Sequence, residues 1–350
     1  MTGRPLVSII IVNYNGKDWL ADCLESLRRV TYPHREVLMV DNASTDGSVE
    51  ILNGFPEVQL LASAENLGFA GGNNLAIKQA RGEYLLLLNS DTVVRPNFLD
   101  PIVDYLQRHP RVGIVQSKML LSRHSGVLDV CGSFLTAFGY LYHYGYWKQD
   151  AEKYSRNHAM FTAKGACMTL RRDLIPRVGN YLFNRDYFCF YEETDFCHRA
   201  WLAGYETHFV AGSVIEHLHG ATAEQSQRKS FVLDLYLRNQ ACSLLSNLSI
   251  AWLLRILPGY AVLFLGGLVL GLLTGRFSLA RSHWRTVCFC VKNLQKIRLQ
   301  RRIISRIRVA RDRDIFAKVM KTPRPSYFWK TFTGQLATYA DSDLPATSPR

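Results

Sequence analysis

Asn89 and Asp91 stand where a run of apolar residues stops. In YLLLLNSDT, Tyr84 to Thr92, the five residues from Tyr84 to Leu88 have the length and character of a fully buried strand. The run ends at Asn89-Ser90-Asp91, polar groups that cannot be buried without partners. An amide and a carboxylate are thereby held at the carboxyl end of a strand, where open α/β sheets bind their ligands. Oxygen donors on a rigid element suit Mg²⁺ or Mn²⁺, which take one or two carboxylates and complete their shell with substrate phosphates. Taken alone, the same residues also suit a strand end that opens a turn, since N-x-D is a short pattern.

The elements around this stretch alternate. LVSIIIVNYN reads as a buried strand followed by an amphipathic helix, Trp19 to Arg29. Glu36 to Asp41 is a second strand, and Asp46 caps a short helix, DGSVEILNG. Val58 to Ser63 is a third strand, with a helix from Gly71 to Ala80. After the Tyr84 strand come a helix near Pro96, a strand from Val112 to Met119, a strand and turn within Phe161 to Asp173, a helix from Tyr191 to Tyr205, and a strand pair in THFVAGSVIEHLHG. This alternation predicts an α/β fold with a doubly wound, mostly parallel sheet. The aromatic stretch from Val127 to Trp147 has no period; it suits an acceptor cleft or a packed loop. A dehydrogenase is excluded, because the first strand-to-helix turn, NYNGKDW, carries one glycine where the dinucleotide fingerprint needs three. No Ser-His-Asp or Cys-His arrangement for nucleophilic catalysis is apparent.

The net charge of +13 belongs to the end of the chain: residues 276–350 hold 17 Lys/Arg against 4 Asp/Glu, and residues 1–275 hold 25 of each. The first 275 residues therefore call for no polyanionic partner; for the basic tail nucleic acid is the rival reading, and the adjacent apolar span argues against it. Eight cysteines form no C-x-x-C pair, which argues against structural zinc and for reduced thiols. The apolar run Leu6 to Val12 reads as a first strand and not as a signal peptide, so cytosolic placement is expected and the sequons at Asn42 and Asn247 carry no meaning.

Read in order, VSIIIVNYNG, VDNASTDGS, ENLGFAGGNN, LLLLNSDT, GACMTLRRD, YEETDFCHRAWLAGY and EHLHGAT resemble the family 2 inverting glycosyltransferases of the GT-A fold, nearest to bacterial rhamnosyltransferases. The resemblance runs from about Val7 to His219 and implies roles residue by residue. Asn13 and Asp41 would flank the nucleotide base, with Asp41 and Asn42 holding a uracil or thymine N–H and the ribose. Asn42 stands where many relatives have a second acid. Asn66, Gly68, Gly71 and Asn74 match the loop over the ribose and diphosphate, glycine permitting close backbone approach. Asp91 matches the last acid of the metal-binding D-x-D, and Asn89 replaces the first. His217 matches the late histidine of the metal and diphosphate site; His219, two residues on, is not separated from it. In the acid cluster Glu192, Glu193 and Asp195, Glu193 matches the general base, with Asp195 as the other catalytic candidate. The bland alternative for this cluster is a helix start whose acids complement the macrodipole, Asp195 pairing with Arg199 one turn on. FNRDYF departs from the family at Arg185, where an acid is usual.

Ile256 to Thr274 is free of charge and long enough to reach roughly 30 Å as a helix, a membrane segment with a buried core helix as the alternative. Beyond it, residues 276–330 carry 16 Lys/Arg against 2 Asp/Glu in an alternation of basic and apolar residues that suits an interfacial helix. A re-entrant or in-plane segment keeps both flanks on the cytoplasmic face of the inner membrane. The expected organisation is a catalytic domain at 1–225, a helix and hydrophobic segment at 226–275, and a basic amphipathic region at 276–350. The expected activity is metal-dependent transfer of a sugar, rhamnose favoured, from a dTDP- or UDP-sugar to a lipid-linked or surface-polysaccharide acceptor. Alternatives are a polyprenyl-phosphate glycosyltransferase and a silent scaffold of an assembly complex.

Overall fold

A computed structural model of the chain describes residues 3–218, 229–342 and 344. Its strands are β1 (Val7–Asn13), β2 (Arg35–Asp41), β3 (Val58–Ala62), β4 (Tyr84–Asn89), β5 (Thr92–Val94), β6 (Val112–Leu121), β7 (Ser133–Leu135), β8 (Leu141–His143), β9 (His158–Ala159), β10 (Cys167–Arg171) and β11 (Glu206–His217). The main sheet runs β3-β2-β1-β4-β10-β6-β11-β5, with β9 on β11. It is parallel over β3-β2-β1-β4 and between β6 and β11. The strand β10 enters antiparallel between β4 and β6.

Alternation along β1 decides the layers. Ile9 and Ile11 face a core built with α1 (Lys17–Arg28) and α3 (Leu99–Arg108). Ile10 faces the opposite core, shared with α2 (Gly68–Ala76) and α5 (Glu192–Leu202). Both faces of β4 are covered, and Tyr84 to Leu88 are at most 1% exposed. At about 1.5–3 kcal/mol per large apolar side chain, this one strand anchors the sheet. The register then aligns the strand ends: Asn13 lies opposite Asp41, and Val12 opposite Asn89.

Several local expectations change. DGSVEILNG forms only a 3₁₀ turn at Glu50–Gly54, because Asp46 is spent on the amides of Lys17 (2.8 Å) and Ser48 (3.0 Å). The stretch ending at His217 is not a strand pair. It is one strand, β11, whose register on β6 shifts between Val210 and Val214. The helix α2 starts at Gly68, earlier than Gly71, since Gly68 itself turns the chain at φ +69°. All eight cysteines are free, and burial pushes Cys23 and Cys167 up to about 12.

The helices α4 (Leu174–Arg177), α6 (Lys229–Asn247), α7 (Ile250–Leu273), α8 (Phe277–Lys292), α9 (Leu294–Ile307), α10 (Asp312–Val319) and α11 (Pro325–Thr333) complete the chain. The apolar helix begins six residues before Ile256, because Ser249 caps it through the Trp252 amide and is itself tied to Asp312 (2.9 Å). One continuous core joins Leu87 and Phe196 to Leu244, Ile256, Phe264, Phe316 and Tyr327. The aromatic stretch is packed under the end of the chain: Tyr142 and Tyr154 donate to Asp341 (2.7 and 3.0 Å), and Tyr327 donates to the Leu141 carbonyl (2.9 Å).

Candidate active site

At the carboxyl edge of the sheet, Asn13 and Asp41 form the first pair. The Asn13 amide donates to Asp41 (3.3 Å), Ser44 (3.1 Å) and Ser48 (2.9 Å), and Asp41 accepts from the Ser44 amide (3.0 Å). The turns after both strands pass through left-handed residues, Asn15 and Ala43. Asn42 reaches the other way and donates to the Gly68 carbonyl (3.0 Å), joining the second strand end to the glycine loop.

That loop is held by close approach. Asn66 accepts from the Gly68 amide (2.9 Å), and a Cβ at Gly68 would strike the Phe188 carbonyl. A Cβ at Gly72 would lie 2.7 Å from Val12, so only glycine lets α2 sit this near the strand end. Gly71 packs inside α2 against Leu67. The Asn74 amide is engaged at both ends by the Phe183 backbone (2.8 and 3.0 Å), which fastens α2 to the segment leading into α5.

Asp91 and His217 arrive from different strands. Asp91 follows β4; His217 ends β11 opposite Thr92, and the Leu218 amide donates to the Asp91 carbonyl (2.9 Å). His217 Nε2 lies 3.5 Å from Asp91 Oδ1, a buried oxygen with no hydrogen-bond partner among the described residues. On its other side His217 Nδ1 meets Asp129 (2.7 Å), and Asp129 is clasped by Lys164 Nζ (2.6 and 2.8 Å). Burial works against the imidazolium of His217, yet Asp129 and Asp91 outweigh it and hold the group above its ordinary value. His219 lies outside the described residues.

A divalent cation fits this pair. Asp91 Oδ1 is an orphaned anionic acceptor, His217 Nε2 points at it, and a carboxylate fixes the far imidazole nitrogen, as in histidine ligands generally. Two protein ligands are few, and no group of three or more potential ligands converges among the described residues. The rest of a coordination shell is left to substrate phosphates and water. Asn89 closes β4 beside this pair, its backbone N–H donating to the Ala166 carbonyl (3.0 Å).

The acids of α5 divide into three environments. Asp195 is 1% exposed, paired with Arg199 (2.9 Å) and bonded by Asn247 (2.9 Å), while Arg199 donates onward to the carbonyls of Val178, Tyr181 and Leu182. Both of its oxygens are engaged in holding the helix. Glu192 is 4% exposed with Oε2 unpartnered among the described residues, and burial together with Glu193 raises its carboxyl well above the usual range. Glu193 is half-buried beside Gly165 and Lys164, and burial pushes its carboxyl up to about 7. Phe188, Phe190 and Tyr191, just before these acids, all adopt left-handed backbone (φ 64°, 68° and 72°). Each such non-glycine residue stores on the order of 1–3 kcal/mol, a cost the surrounding packing must offset.

Asp129 and Lys164 are the site residues the sequence reading passed over. Asp129 is the lone acid in an aromatic stretch, and Lys164 precedes GACMTLRRD. A charged group inside an apolar neighbourhood was the signal available for both.

Comparisons with known proteins cover the part of this site that lies before α5 and β11 by sequence, and the sheet as a whole by fold. The family model for Glycosyl transferase family 2 matches residues 8–179. The O-antigen biosynthesis protein RfbC of Myxococcus xanthus is 34% identical over 193 residues, 51% of this chain and 15% of that protein. The chain thus spans only 15–25% of the length of the long curated relatives it matches. The mannosyltransferase PcManGT from Pyrobaculum calidifontis, solved in complex with GDP-Man and Mn²⁺, superposes with a TM-score of 0.55 at 19% identity, covering 87% of this chain and 86% of that one. S. aureus TarS 1-349 in complex with UDP-GlcNAc superposes with a TM-score of 0.52 at 18% identity over 73% and 72% of the two chains. Residues 8–179 are thus similar to the glycosyl transferase family 2 model, and the sheet that carries them has the GT-A-type fold.

Proposed function

We propose that the protein is an inverting, metal-dependent glycosyltransferase that moves a sugar from a nucleotide sugar to a lipid-linked or surface-polysaccharide acceptor. The observation that carries this reading is the convergence of Asp91 and His217, 3.5 Å apart at the carboxyl edge of the sheet, with Lys164 clasping the Asp129 that meets His217 and acting electrostatically on Glu193. Asn13, Asp41 and Asn42 would hold the base and ribose, and the loop from Asn66 to Asn74 would lie over the diphosphate. The donor reading is dTDP- or UDP-sugar, with rhamnose favoured by the motif resemblance. Asp91 and His217 would hold Mg²⁺ or Mn²⁺, which when bound neutralises charge on the departing diphosphate.

The reaction is a single displacement. The acceptor hydroxyl oxygen bonds to the anomeric carbon, the bond from that carbon to the diphosphate oxygen breaks, and the hydroxyl proton passes to the Glu193 carboxylate. Glu193 suits the task better than Asp195, because a carboxyl near 7 accepts a proton at neutral pH and Asp195 is enclosed by Arg199 and Asn247.

We place the protein at an anionic membrane surface, in plane, on the cytoplasmic face. Supporting this, α7 buries Leu253, Ile256, Tyr260 and Phe264 in the common core and leaves Leu254, Val262, Leu265 and Leu272 more than half exposed. Trp284 and Phe277 on α8 are likewise exposed, in a helix that also carries Arg281 and Lys292. A helix with one side committed to the catalytic body suits lying in the interface better than crossing it.

Screening nucleotide sugars for donor hydrolysis with Mg²⁺ and with Mn²⁺ tests the reading. Turnover that needs a divalent ion and is lost in Asp91→Asn is the expected result; full activity in a chelator would overturn it.

A further inference from the structure

The helix α6 lies beyond the matched segment, and its inward face is polar. Asn239, Gln240, Ser243 and Asn247, spaced along one side of the helix, are each at most 1% exposed. A helix face buried that deeply is ordinarily apolar, so the bonds its polar groups make carry weight, even though Gln240 Oε1 and Asn247 Oδ1 have no partner among the described residues. Asn247 reaches Asp195 in the first turn of α5 (2.9 Å). Asn239 donates to three backbone carbonyls at once, those of Tyr187 (2.9 Å), Cys189 (3.1 Å) and Phe190 (2.7 Å). An amide has two N–H donors, so at least one is shared between carbonyls. Arg238 adds a bond to the Asp186 carbonyl (2.9 Å).

The chain that Asn239 grips is the one with three left-handed aromatic residues, Phe188, Phe190 and Tyr191. Such backbone persists only when its surroundings over-determine it. Two residues after this segment comes Glu193, and Phe188 also accepts from the Ala70 amide in the glycine loop (2.9 Å). One side chain therefore fixes both the entry to α5 and the neighbour of the diphosphate-covering loop.

We propose that Asn239 is a positioning residue: by holding the carbonyls of Tyr187, Cys189 and Phe190 it keeps the strained turn in place and sets where the Glu193 carboxylate sits. This rests on the reading of Glu193 as the base. The structure thereby assigns the region after residue 225 a part in the catalytic geometry, beyond any role at a membrane.

Asn239→Asp keeps the shape and sets a carboxylate against three carbonyl oxygens; Asn239→Ala removes the donors and is the variant measured if the first does not fold. The expected result is a fall in kcat of about 10–100-fold with donor KM nearly unchanged, since a small misplacement of a reacting group costs that much. The pH limb of kcat assigned to Glu193 should move, and amide hydrogens of 186–193 should exchange about tenfold faster or more. Leu244→Ala, a cavity in the same helix away from these carbonyls, should lose stability yet keep kcat and the limb. An Asn239 variant that is folded with an unmoved limb and unchanged exchange overturns the proposal, as does a Leu244→Ala protein with the same loss and the same shift. If instead Glu193→Gln retains the limb, the base assignment fails while faster exchange in the Asn239 variants still reports the brace.

Discussion

Glu193 and Glu192 are adjacent carboxyls with different futures. Burial pushes Glu193 up to about 7, so kcat should rise with pH through that range as the carboxylate becomes available. Glu193→Gln should abolish this limb and lower kcat by ~10²–10⁴-fold, with donor binding retained by calorimetry. Glu192 keeps its proton to well above the 4.5 of an ordinary glutamate, whereas the unfolded chain releases it near that value. Folding then takes up a proton, and stability declines as pH rises between the two values. Glu192→Gln should therefore raise Tm most at the alkaline end of a series from about pH 5 to pH 8; a uniform or absent gain would contradict the assigned environment. At the other end of the site, Asp129→Asn should weaken Mn²⁺ binding, read by titration, by ~10–100-fold, as loss of an outer-shell carboxylate does. Asp91→Asn should abolish divalent-ion-dependent turnover and leave the thermal transition in place.

At the scale of elements, α5 is held mostly by charge and hydrogen bonds at its start. Asp195 and Arg199 are both buried, and Arg199 is spread over three carbonyls of the preceding loop. Replacing one member of such a pair leaves a buried charge unmet, so Asp195→Asn should cost about 3–5 kcal/mol and appear as a lower urea midpoint. The protein that remains folded should still show the Glu193 pH limb. Loss of the limb at unchanged stability would instead make Asp195 the base. The glycine loop is held by shape: Gly72→Ala sets a methyl into Val12, and the α2 end of the site should loosen with it.

The whole molecule joins the GT-A-type sheet to a helical region through one core, and on the proposed reading that continuity limits how the helical region would meet a membrane. The helix α7 cannot leave the body without exposing Ile256, Tyr260 and Phe264. The expected behaviour is salt-sensitive flotation with anionic vesicles and little binding to neutral ones. Placing aspartate at Leu254, Val262 and Leu265 together should abolish flotation while donor hydrolysis in solution persists. Flotation unchanged by these substitutions would point to another surface.

Order along the chain was legible without coordinates. Buried strands announce themselves by unbroken apolar runs, so β1, β2, β4 and the positions of Asn13, Asp41 and Asp91 at their ends followed from sequence. The pairing of Asp195 with Arg199 followed from helical spacing. What depended on tertiary structure was everything made by residues far apart in the chain. Asp129 meets His217 across 88 positions, and Asn239 meets the turn before Glu193 across some 50. Neither contact has a local period or motif. The antiparallel entry of β10 and the single bent β11 were hidden for the same reason: strand order and register are fixed by which faces find a buried partner, and a linear pattern records only that a face is apolar.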